Sequence, residues 1–96
     1  MYLDQLRQLA PQISDLANRY GARRVRVFGS VARGEDTPQS DLDVLVDFPR
    51  GYDLLAQRMP LALGLSDLLG RQVDLVPEHE LSPYLRAQVL AEAVDL

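Results

Sequence analysis

Ninety-six residues make room for one modest hydrophobic core and not for two, so a single domain over residues 1–96 is expected, and a composition of 47% hydrophobic and 25% charged residues sets the chain apart from disordered polypeptides. The sequence contains no cysteine, which excludes disulfides, thiolate zinc sites and cysteine nucleophiles, and no lysine, which excludes a lysine nucleophile. A formal net charge of -4 argues against a broad surface for gripping nucleic-acid phosphates and suits a basic protein partner better.

The opening MYLDQLRQLA lacks a basic stretch followed by an unbroken apolar run, and no apolar run is long enough to span a bilayer. A cytoplasmic location away from membranes is therefore expected. Leu3, Leu6, Ile13, Leu16, Ala17 and Tyr20 recur at helical spacing, interrupted at Pro11. This predicts a short helix, then a second one carrying Pro11 in its first turn and ending at Gly21 in a left-handed cap.

From Arg23 to Phe28, Arg24, Arg26 and Phe28 alternate with Val25 and Val27, the period of a strand with one buried face. It runs into Gly29-Ser30 and Val31–Gly34, enough for about one helical turn, and then into the polar loop 35–40. A second strand follows, with Leu42, Val44 and Val46 on one face and Asp41, Asp43, Leu45 and Asp47 on the other. Residues 53–69 are leucine-rich at helical spacing, dependably so over 60–69, and Gly70 closes that helix. Gln72–Val76 predicts a third strand ended by Pro77. Ser82-Pro83 is a cap followed by a first-turn proline, starting a helix with Leu85, Val89, Leu90 and Ala93 as its apolar stripe, on which the chain is expected to close. The order helix, strand, strand, helix, strand, helix points to a small α/β (α+β) layer structure: a mixed sheet of three to four strands with helices on one face.

The chemistry concentrates on three short stretches. Asp41 and Asp43, two apart on a strand, send both carboxylates from one face with Cα atoms roughly 6.6 Å apart. Such a converging pair needs a cation, and Mg2+ suits hard oxygen ligands while leaving positions for substrate phosphates. Asp74, mid-strand between Val73 and Leu75, is disfavoured there unless rewarded. If its strand neighbours the second, it completes a triad able to hold two metals and to act as base toward an attacking hydroxyl. Gly29-Ser30, at the passage from strand to helical turn, offers backbone amides and a hydroxyl to phosphates.

These residues resemble a known superfamily. Gly29-Ser30, followed after ten residues by Asp41-Leu42-Asp43, is similar to the signature of the polymerase-beta-like nucleotidyltransferases. The strand-borne Asp74 and the short chain look like the minimal nucleotidyltransferase (MNT) group within it. The resemblance implies that fold, ATP as substrate, and Mg2+, two ions, held by Asp41, Asp43 and Asp74. It implies a triphosphate held by Gly29 and Ser30, with Arg33 and Ser40 as further nucleotide contacts. Many MNT proteins are antitoxin partners of a HEPN-type ribonuclease toxin, and members of that set transfer AMP from ATP to a tyrosine of the toxin, which implies a hetero-oligomer with such a partner.

Blander roles compete with these. The acidic face could be merely solvated, Arg33 could pair with Glu35 or Asp36, Ser40 could only start the strand, and His79 reads as an exposed loop residue without a role. Tyr2, Tyr20, Tyr52 and Tyr84 suit packing or partner contact, and the Leu61, Leu63, Leu65, Leu68 and Leu69 cluster suits the core, with part of it open to being an exposed partner surface. As alternatives to transfer onto a toxin, the protein could mask a basic toxin by binding alone, or could modify a small hydroxylated molecule.

Overall fold

The computed structural model describes residues 2–96. Two helices, α1 (Tyr2–Gln8) and α2 (Ala10–Arg19), lead into β1 (Arg23–Phe28) and the one-turn helix α3 (Gly29–Arg33). After the loop comes β2 (Leu42–Asp47), then a π-helical turn (Leu54–Arg58) continuing into α4 (Met59–Leu69). The chain proceeds through β3 (Val73–Pro77), a 3-10 turn (Glu78–Glu80), α5 (Pro83–Glu92) and β4 (Val94–Asp95). Pro11 sits in the first turn of α2, and Ser82 caps α5 by accepting the Tyr84 amide, as the sequence predicts.

The sheet order is β3-β2-β1-β4, with β1 antiparallel to both β2 and β4 and β2 parallel to β3. Leu42, Val44 and Val46 of β2, Val27 of β1 and Val73 and Leu75 of β3 form one apolar face. Leu6, Ile13 and Ala17 of the first two helices and Leu61 and Leu65 of α4 close over it as the core. Leu63 and Leu68 do not join the core and are exposed, because the helical period turns them away from the sheet. Among the described residues no helix is long and apolar enough to cross a membrane.

Several expectations need correction. The chain does not close on a helix: Val94-Asp95 pairs with Val27 and Arg26 and makes the fourth strand. A two-residue edge strand carries too little periodicity to be read from sequence. The expected apolar stripe of α5 is only partly realised: Val89 is buried and Leu90 and Ala93 are half-buried, but Leu85 is exposed. β1 is not a strand with one solvated face. Its pairing with β2 slips between Arg23 and Arg26, and Arg24 takes a positive φ of 49°. Arg26 is 4% exposed, its guanidinium lying 3.5 Å from Asp47 and 3.6 Å from Glu78. Leu45, on the same face of β2 as Asp43 and Asp47, is fully buried, so that face is covered at its middle.

Candidate active site

The parallel pairing of β2 and β3 sets the site. Asp43 is the direct cross-strand partner of Asp74, and on its other side it is paired with Phe28, the last residue before Gly29. In-register neighbours share a face, so the two carboxylates and the start of α3 meet at one end of the sheet. Asp41 lies one residue before β2 and not within it, because the ladder with β3 opens at Leu42, whose amide bonds to the Gln72 carbonyl at 2.9 Å.

Burial is the main cause that pushes the Asp43 carboxyl above the usual range, and the nearby charges of Asp74 and then Asp41 push it further. Arg33 pulls it the other way. Asp74 and Asp41 are themselves exposed. Three mutually repelling carboxylates with one half-buried among them form the electrostatic setting in which a cation is rewarded. Among the described residues, however, no three acidic or histidine side chains converge closely enough to enclose an ion. The set is therefore open-sided. That suits Mg2+, which binds through one or two carboxylates and completes its shell with water and substrate phosphates.

Gly29 is the first residue of α3 and has φ +74°, a conformation that favours glycine. A Cβ there would also collide with Asp43 Oδ2. The glycine of the Gly-Ser pair is thus required twice over, by backbone conformation and by the close approach of Asp43. Ser30 follows it, partly buried, in the same turn. The Gly29 amide is not free: it donates to Glu92 Oε1 at 3.0 Å. Arg33 donates to Glu92 Oε2 at 3.0 Å and lies 3.4 Å from Glu35 Oε1, and the bond to Glu92 is the main cause raising its guanidinium further above its ordinary value.

The ten-residue gap has a physical account. Asp36 pairs with Arg71 at 3.0 Å, Arg71 stacks over the Tyr2 ring, and Ser40 Oγ accepts the Thr37 amide at 2.9 Å. The loop is thereby tied down between α3 and β2. Ser40 holds this loop through Thr37 and does not start the strand, which opens at Leu42, and Asp36 pairs with Arg71 instead of Arg33.

His79 is not a loop histidine in solvent. It sits partly buried in the 3-10 turn, edge-on to Tyr52, which stacks on Phe48 and donates to Glu80. It lies with this packing cluster and not with the aspartates. Glu92 is the site residue that sequence reasoning misses. One local signal existed: an acidic side chain at a helix C-terminus opposes the helix dipole and calls for a compensating partner.

The model of the family described as nucleotidyltransferase domain matches residues 6–96. The chain belongs to this family. A solved structure described as a "putative minimal nucleotidyltransferase" matches with a TM-score of 0.84 and 52% identity, covering 98% of this chain and 95% of that one. The protein adenylyltransferase MntA of Thermococcus cleftensis is 42% identical over 80 residues, 83% of this chain and 80% of the relative. A chain in the complex of tri-AMPylated Shewanella oneidensis HEPN toxin with MNT antitoxin matches with a TM-score of 0.66 and 26% identity, covering 88% of this chain and 66% of its own.

Proposed function

We propose that this protein is a magnesium-dependent protein adenylyltransferase that moves AMP from ATP onto a tyrosine hydroxyl of a HEPN-type ribonuclease toxin and so acts as its antitoxin. The observation that carries this reading is the in-register pair Asp43–Asp74 beside the positive-φ turn at Gly29. Relatives named as a protein adenylyltransferase and as the MNT partner of an AMPylated HEPN toxin support the acceptor class.

In this reading Gly29 and Ser30 hold the triphosphate and Arg33 steadies it, while the open-sided set Asp41, Asp43 and Asp74 would hold the metal through one or two carboxylates per ion, water and substrate phosphates completing its shell. Bound magnesium supplies the positive charge that offsets the carboxylates and the phosphates. The acceptor oxygen forms a bond to the α-phosphorus, the α–β phosphoanhydride bond breaks, and pyrophosphate leaves. The hydroxyl proton passes to Asp74, which is exposed and so open to an incoming acceptor. Ser40 contributes by fixing the loop that carries Asp41. Leu55, Met59 and Leu63, all exposed and four residues apart along the π-helical turn and α4, give a protein partner an apolar stripe to dock on.

The test uses ATP labelled at either the α or the γ phosphate, with Mg2+ and a HEPN-type toxin. The expected result is label on the toxin from α-labelled ATP only, removed by Tyr→Phe substitution of the acceptor. Label from γ-labelled ATP would show phosphoryl transfer, and no label on a toxin that still binds would leave masking as the mode of action.

A further inference from the structure

The Glu92 carboxylate occupies donors that the proposed reading assigns to the nucleotide. One oxygen takes the Gly29 amide and the other takes the Arg33 guanidinium, both at 3.0 Å. This two-point grip, an amide and a guanidinium on a pair of oxygens sharing one negative charge, is the pattern with which a phosphate group is held.

The contact is built into the fold. β4 pairs with β1 through Val94–Val27 and Asp95–Arg26, and continuing that antiparallel register brings Glu92 opposite Gly29. The short last strand thereby fastens the end of α5 against the phosphate turn. The Glu92 side chain is only 19% exposed, and its charge is among those that raise the Asp43 carboxyl. A carboxylate placed there repels the same polyanion that the turn is shaped to accept.

We propose that Glu92 is an internal stand-in for the triphosphate: it keeps the Gly29 amide and Arg33 in place in the nucleotide-free protein and is displaced when the nucleotide binds. It is a positioning residue that sets nucleotide affinity. The inference rests on the reading of the Gly29 turn as the triphosphate cradle.

Calorimetric titration with Mg·ATP, and separately with inorganic tripolyphosphate and Mg2+, tests it on the full chain. Glu92→Gln and Glu92→Ala are each expected to bind both probes about tenfold more tightly than the unmodified protein, the scale of one partly screened charge removed from a polyanion site. Asp67→Asn, which removes an equal charge from the exposed side of α4, is expected to leave both affinities unchanged. A purely structural Glu92 would act the other way, weakening binding as the turn loosens. Unchanged or weaker binding by both Glu92 variants, with binding by the unmodified protein intact, overturns the stand-in role alone. Absence of nucleotide binding by every form overturns the cradle reading together with it.

Discussion

Asp43 and Asp47 leave the same face of β2 from its two ends, and burial is the first cause that raises both carboxyls, followed by a neighbouring carboxylate. Their partners differ. At the Asp47 end the buried guanidinium of Arg26 lies between Asp47 and Glu78, and Arg86 of α5 stands 3.5 Å from Glu78, so two cations serve two acids. At the Asp43 end the neighbours are Asp74 and Asp41, and the one arginine that pulls Asp43 down is shared with Glu92 and Glu35. Equal numbers of charges make a bolt across the sheet; an excess of acids makes a place for a metal and a nucleotide. The same strand alternation produces both, and only the cations tell them apart.

Removing the cation from the balanced end should have the largest effect on stability. Arg26→Ala leaves the partly exposed Asp47 and Glu78 facing each other and is expected to cost about 3 kcal/mol in urea unfolding, the lower end for breaking a pair with a buried partner. Next, Gly29→Ala forces a Cβ into a left-handed turn and onto Asp43. A loss of about 2 kcal/mol, with transfer reduced at least tenfold, is expected from unfolding and label-incorporation assays.

The unbalanced end should respond with the opposite sign. A carboxyl whose pKa is raised by folding contributes stability that is full below its unfolded value and is lost as pH rises through the folded value. Ionised Asp43 therefore burdens the metal-free protein at neutral pH, and Asp43→Asn should raise its melting temperature by a few degrees while abolishing transfer. A melting series from acid to neutral pH should show that gain growing with pH. The smallest effect belongs to the exposed pair Arg24–Asp95, in which the bond from Arg24 is the main cause holding the Asp95 carboxyl below the usual range. That contribution is present at neutral pH and lost as pH falls through the lowered value. Asp95→Asn should shift the neutral-pH melting temperature by no more than about 1 °C, because solvent screens the pair.

Much of this site was legible in the linear pattern because its signals are local. Gly29-Ser30 after an alternating run, the Asp41-x-Asp43 spacing and the capped start of α5 at Ser82 each depend on neighbours a few residues away. That Asp74 stands beside Asp43 is a matter of strand order, which the sequence could pose only as a condition. The features that escaped depend on distant contacts. Arg26 reads as one of two alternating arginines, with Arg24, until a slip in the β1–β2 register and Glu78 bury it. Leu45 reads as part of an acidic face until that face is covered. Glu92 acquires its place from β4, an element too short to announce itself.

The central claim is that the two ends of β2 do different work, and parallel assays of Asp43→Asn and Asp47→Asn with α-labelled ATP, Mg2+ and the toxin test it most directly. Label incorporation by Asp43→Asn should fall at least 100-fold, on the order of 3 kcal/mol of transition-state stabilisation, while Asp47→Asn stays within about twofold of the unmodified protein. Equal losses in the two variants, or an active Asp43→Asn, would contradict the account.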